Sequence, residues 1–197
     1  YILIARPFVS LIEVLGVDNA SAWHLINFLT FQLGIYLFYR FSAKWMKHWS
    51  ALAASAFFAW QPLLWGHAFI NPKDIPFLVF FIGSMYFGFE LVDDIAKSGK
   101  AKFTRIFAAA FFLGIATSIR VLGPLAAILT GLYAVSQLNK IRFLELLKQF
   151  TIYALLTLLI AFIVWPYLWT NPLQKFIEVF GFMSDNPTQL TVLFMGQ

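Results

Sequence analysis

The chain has 197 residues, of which 61% are hydrophobic and 19% aromatic, yet only 12% are charged. Soluble domains run near half apolar and a quarter charged, so this composition excludes an ordinary soluble domain. The net charge of +5 falls in short basic clusters between apolar runs, a pattern of membrane topology rather than of a nucleic-acid surface, and the lack of cysteine excludes disulfides and thiolate metal sites.

The apolar runs are continuous rather than alternating every second residue, which argues against a β-barrel. Several approach the roughly 20 residues that cross a bilayer. The expected fold class is an all-α integral membrane protein, a polytopic helical bundle of about six transmembrane helices plus interfacial helices. The chain opens at Tyr1 without a Met and closes on Gly196-Gln197 without a terminating feature. It is therefore expected to be a segment of a longer chain, with 1–197 forming one transmembrane domain segment.

Residues 1–20 are apolar but broken by Arg6-Pro7, Glu13, Gly16 and Asp18, so they are expected to lie at the interface. The first span is 22–41, running into RFSAKWMKH, and the second is 51–70. After it comes WGHAFINPKDIPF, residues 65–77, which gathers His67, Asn71, Lys73, Asp74 and two prolines in a chain poor in polar residues. The third span is 75–92, with Pro76 in its first turn, where a missing N–H is harmless. It leads into DDIAKSGKAKFTR.

The apolar run 106–135 is about 45 Å long as one helix, against a hydrocarbon core of roughly 30 Å. It is interrupted by Arg120 and Gly123-Pro124. One span would put the basic clusters on its two sides in opposite compartments, against the positive-inside rule, whereas two spans put both in the cytoplasm. The expected spans are therefore 106–119 and 121–137, turning near Arg120. The last span, 150–168, exits through WPYLWTNP, and 173–183 reads as an amphipathic interfacial helix.

Six spans place Arg40, Lys44, Lys47, Lys97, Lys100, Lys102, Arg105, Lys140, Arg142 and Lys148 in the cytoplasm. The remaining four basic residues, Arg6, Lys73, Arg120 and Lys175, fall on the far side with Asn71, Asp74 and the aromatic exit at Trp165, Tyr167 and Trp169.

Each member of this polar set has a structural explanation to weigh. Asp74 can cap the third span and Lys73 can snorkel to headgroups. A lone interfacial His67 is commonly just hydrogen-bonded. Arg120 is costly in lipid and usually faces a cavity or an anion; its guanidinium suits phosphate or carboxylate, or it reaches headgroup phosphates. Trp165, Tyr167 and Trp169 fit an interfacial belt, and aromatic faces also stack on sugars. Asp93-Asp94 reads as a solvated helix end with no catalytic role. The sequence carries no phosphate-binding glycine loop, HExxH or GxSxG motif.

GHAFINPKDIPF, GIATSIRVLG and WPYLWTNPLQKFIEVFGFMSDNP, together with the closing VLFMGQ, resemble bacterial membrane glycosyltransferases of the GT-C superfamily. The likeness is to the protein-mannosyltransferase-like group, relatives of the dolichyl-phosphate-mannose-protein mannosyltransferases. The resemblance implies an enzyme of the bacterial inner (plasma) membrane with its motif loops on the periplasmic side. It implies transfer of a sugar from a polyprenyl-phosphate-linked donor to an acceptor on the non-cytoplasmic face. In that family an acidic residue in the first external loop is the hallmark; Glu13 and Asp18 do not match it, so the base is expected upstream of residue 1.

By the resemblance, Asp74, Lys73 and His67 are candidate catalytic residues. Asn71, Arg120, Trp165, Tyr167 and Trp169 are candidates for binding substrate and phosphate. No cofactor is assigned. A divalent metal stays open, with Asp74, Asn71 and His67 as its hard ligands. Partners expected are the polyprenyl-phosphate-linked donor, membrane lipids and further membrane subunits, with no nucleic acid. Two other classes compete: a non-catalytic scaffold subunit that retains this fold, and a lipid or solute transporter.

Overall fold

The computed structural model describes residues 1–184, and there the chain is all helical, with no strand among the described residues. The closing VLFMGQ and the end of the third motif, from residue 185 onward, lie outside the described residues.

Helix α1, Ile2–Val14, turns Ala5 and Val9 inward and ends before Gly16, whose φ of +87° is left-handed. Exposed Phe8, Leu11 and Val14 cover its other side. Helix α2, Asn19–Ser42, starts where the Asp18 carboxylate accepts from the Ser21 N–H.

The expected second span, 51–70, is not one helix. It divides into α3, His48–Ala59, and α4, Pro62–Ile70. The break has a local cause: Gln61 adopts an extended backbone and its side chain accepts from the Leu64 N–H, while Pro62 has no N–H to continue α3.

Helix α5, Asp74–Ser98, is the central element and ends at Gly99, with φ of +76°. It packs against α2, α6, Phe103–Ile119, and α7, Pro124–Ser136. The expected turn near Arg120 is present. α6 stops at Ile119, Arg120 is extended, and α7 restarts with Pro124 at its first position. Gly123 allows this turn to fold tightly, because a Cβ there would lie 2.5 Å from the Thr117 backbone.

Helix α8, Phe143–Val164, begins and ends earlier than the expected 150–168, since Trp165–Leu168 leave the helix for a 3-10 turn. Only a narrow i, i+4 stripe of α8 is buried: Gln149, Tyr153, Thr157 and Ala161. Leu155, Leu158, Leu159 and Ile163 are exposed. Helix α9, Pro172–Ser184, follows.

Two long helices, α5 and α8, have the length and apolar composition to cross a membrane. Long-range contacts order the helices between two ends of one bundle. Asp74 meets Arg120 at one end, and Glu90 meets Arg105 at the other, so α5 and α6 are antiparallel. Lys44, just after α2, reaches Glu90, while Asn27 near the start of α2 bonds to Phe69 in α4, so α2 runs parallel to α5. Thr130 of α7 lies against Gly88, and Gln149 of α8 bonds to Gly99 and Ala101. The chain thus traverses the bundle alternately, with α3 and α4 together making one return.

The Glu90 end is not merely a solvated helix terminus. Lys44, only 11% exposed in its side chain, bonds to Glu90 and to Asp93 at 2.6 Å. Asp93 also accepts from the Tyr133 hydroxyl at 2.7 Å, and Arg105 spans Glu90 and Asp94. Asp93 and Asp94, expected to be solvated, are joined through these bonds to three other segments: the end of α2, α6 and α7. Burial opposes the charge on Lys44, but its bonds to Asp93 and Glu90 outweigh that and raise its pKa above the usual lysine value.

Candidate functional site

The opposite end collects the polar residues of the 65–77 motif. α4 ends at Ile70, and Asn71 then makes the turn: its Oδ1 accepts from the backbone N–H of Lys73 at 3.1 Å and of Asp74 at 2.8 Å. These are the free donors at the start of α5 that need a partner. Lys73 holds the N-cap position without a side-chain capping bond, and the Asn71 side chain, two residues earlier, closes the turn onto the helix start. Asp74 occupies its first turn, where a carboxylate is favoured by the helix dipole. Pro72 in the middle of the turn biases Asn71 toward its extended backbone.

The side chains then link in a row. Asn71 Nδ2 lies 3.3 Å from His67 Nδ1 and donates to Asp74 Oδ2 at 2.9 Å. The other Asp74 oxygen accepts from the Arg120 guanidinium. Asp74 and Arg120 are 46 residues apart in sequence and are brought together by the antiparallel packing of α5 and α6. Half of the Asp74 side chain and a third of the Arg120 side chain remain exposed.

As a set, His67, Asn71 and Asp74 do not fit a divalent cation. The Asn71 oxygen is committed to two backbone donors, and Asp74 is already neutralised by Arg120. Among the described residues no cluster of three or more His, Asp or Glu side chains gathers around one point.

Beside this row lies a cavity of about 230 Å³ lined by Lys73, Thr117, Ser118, Arg120 and Trp165, among others. The Lys73 ammonium has no ion-pair or hydrogen-bond partner among the described residues. Two cations therefore border one cavity, one free and one held by a carboxylate. Lys73 and Trp165 also line a second cavity of about 570 Å³ that reaches Tyr1 and Pro166.

A third cavity, about 400 Å³, runs between α6, α7, α8 and α9 and is almost wholly apolar. Its walls include Leu113, Ala127, Phe150, Ala154, Leu158 and Ala161. Along α8, Phe150 to Trp165 corresponds to about 22 Å of groove. Thr117 and Trp165 line both this groove and the Arg120 cavity, so the two adjoin. The buried Thr117 Oγ1 has no hydrogen-bond partner among the described residues and sits at their junction.

The aromatic exit divides. Trp165 belongs to the cavities, but Tyr167 donates to Glu178 at 3.0 Å and stacks under Lys175, 5.0 Å from its ring centre. Trp169 Nε1 donates to the Phe162 carbonyl at 2.8 Å. Neither Tyr167 nor Trp169 lines the Lys73–Arg120 cavity, and His67 lines it no more than they do. The hydrogen bonds of Tyr167 and Trp169 tie α9 and the end of α8, and His67 joins the Asn71 turn. Tyr1 and Asn27 are polar residues at this end that sequence reasoning missed. Tyr1 bonds to Asn27 and Thr30, while Asn27, buried, donates to the Phe69 carbonyl at the end of α4.

No family model matches the sequence, and no curated protein or solved structure is significantly similar to it.

Proposed function

We propose that the chain is the membrane part of a glycosyltransferase that moves a sugar from a polyprenyl-phosphate-linked donor to an acceptor on the non-cytoplasmic face. The observation that carries this reading is a pair of cavities with two chemistries that share the walls Thr117 and Trp165. A cavity bordered by Lys73 and Arg120 adjoins an apolar groove long enough for several isoprene units. A phosphate on a hydrocarbon chain is complementary to both halves, and Arg120 supplies the forked donors that phosphate takes up best.

Membrane embedding is supported by α8, an apolar helix of span length whose Leu155, Leu158, Leu159 and Ile163 are exposed, as suits a lipid-facing surface. The distribution of charge supports the orientation. The basic clusters near Lys44, Lys97 to Arg105 and Lys140 to Lys148 gather at the Glu90 end, and the Lys73–Arg120 site is at the other. By the positive-inside rule the site faces away from the cytoplasm.

In the reaction the acceptor oxygen bonds to the sugar C1 as the C1–O bond to phosphate breaks. The electron pair leaves on the phosphate, and the acceptor proton passes to a carboxylate. Lys73 and Arg120 oppose the charge that grows on the departing phosphate. Replacing Arg120 by Ala should lower sugar transfer in membranes by about 100-fold or more, the weight of one such donor, with the protein still folded. Lys73→Ala should lower it less, since an ammonium is a point charge without the fork. Near-normal turnover in both variants would refute the assignment.

A second reading is favoured by one observation. No carboxylate lines the cavity among the described residues, and Asp74, next to the lining residue Lys73, is bound to Arg120. A scaffold subunit that holds a lipid phosphate without chemistry fits that arrangement, and it predicts binding of the lipid with no transfer in the wild type.

A further inference from the structure

We infer that Asp74 acts as an internal stand-in for the ligand's anion, holding Arg120 until a phosphate takes its place. The inference rests on the lipid-phosphate reading above and concerns the same site.

Three observations lead to it. The Arg120 guanidinium borders the cavity, yet its one side-chain bond among the described residues is the contact of Nη2 with Asp74. The start of α5 does not need this contact, because Asn71 already accepts from the Lys73 and Asp74 N–H groups and holds the second Asp74 oxygen. Lys73, the neighbouring cation on the same cavity, is left without a partner among the described residues. A pair of cations with only one carboxylate between them is poised for an incoming anion.

The direction of exchange follows from charge. The Asp74–Arg120 pair is exposed to water, so it is weak and easily parted. A sugar-bearing phosphodiester carries one negative charge and competes with the carboxylate on near-equal terms. A phosphate monoester carries about −1.5 to −2 with three acceptor oxygens, and can engage Arg120 and Lys73 together. Arg120 would therefore pass from Asp74 to phosphate as charge builds on the leaving group, an interaction stronger late in the reaction than early. The return of Asp74 to Arg120 would then help eject the product.

The test is a titration of the intact protein in nanodiscs with farnesyl monophosphate, comparing wild type, Asp74→Asn, Asp74→Ser, Arg120→Ala and the Asp74→Asn/Arg120→Ala double variant. Loss of the competing carboxylate should tighten binding about three- to fivefold in both Asp74 variants, the weight of one exposed ion pair. Arg120→Ala should weaken binding, and the double variant should match it, because Asp74 acts only through Arg120. Two Asp74 replacements guard against a folding defect peculiar to one of them. Wild-type binding that neither Asp74 variant tightens would overturn the exchange and leave the lipid-phosphate reading standing. No binding by any of the five proteins would overturn both.

Discussion

Asn71 is the residue on which the geometry of the site depends. Its carbonyl oxygen closes the turn onto the N–H groups of Lys73 and Asp74, and its amide reaches His67 and Asp74. Replacing it with Ala should lower stability by about 1 kcal/mol, as for loss of a helix cap, and should also loosen the placement of Asp74. Asn71→Asp keeps the turn-closing oxygen but puts a second carboxylate beside Asp74. It should therefore retain most of the thermal stability in detergent while losing activity. Equal melting temperatures for Asn71→Ala and wild type would show that the turn is held by something else. Much of this was legible in the sequence, since Asn-Pro-Lys-Asp announces a turn before a helix. The division of labour was not. Asp and Asn both suit a helix start, and only the fold shows that α5 begins at Asp74, so that Asn71 closes the turn while Asp74 is left to meet Arg120 from α6.

At the level of helices, the bundle is pinned at its Glu90 end by charges that come from distant parts of the chain. Lys44 lies 46 and 49 residues from Glu90 and Asp93, too far apart for any local pattern to announce the pairing. That is why Asp93-Asp94 reads from sequence as a solvated terminus. The division of 51–70 is a different kind of miss. Gln61-Pro62 is a readable helix start, but an unbroken apolar run of span length masks it. Lys44→Met should destabilise the bundle by about 2 kcal/mol, the scale of hydrogen bonds to charged groups, because it leaves two carboxylates partly buried with less compensation. The sign of its pH dependence is fixed by the raised pKa of Lys44. The stabilisation is fully present below the ordinary lysine value of 10.5 and fades as pH rises through the higher folded value. The stability gap between wild type and Lys44→Met should thus stay constant from neutral pH to that value and narrow above it. A gap that narrows on acidification instead would mean that the carboxylates, not Lys44, dominate the clamp.

Over the whole molecule, the segregation of charge was the part most open to sequence reading, because topology depends on where the lysines and arginines stop rather than on which side chains touch. The four exceptional cations, Arg6, Lys73, Arg120 and Lys175, belong to helices and turns that meet at the Asp74 end: Ile2 of α1 and Val179 of α9 each line a cavity with Lys73. What could not be read was that these cations are unequal, with Arg120 neutralised and Lys73 free. The orientation is directly measurable, since the chain has no cysteine and single-cysteine variants need no background substitutions. Pro72 and Lys100 are exposed and flank α5, which at 25 residues spans about 37 Å, enough to cross the hydrocarbon core. An impermeant maleimide added to intact cells should label Pro72→Cys at once and Lys100→Cys only after the membrane is opened. The reverse order would invert the protein and move the Lys73–Arg120 site to the cytoplasm, where the charge distribution argues against it. Labelling of both positions before permeabilisation would remove α5 from the membrane altogether. The groove along α8 would then need an occupant other than a lipid chain.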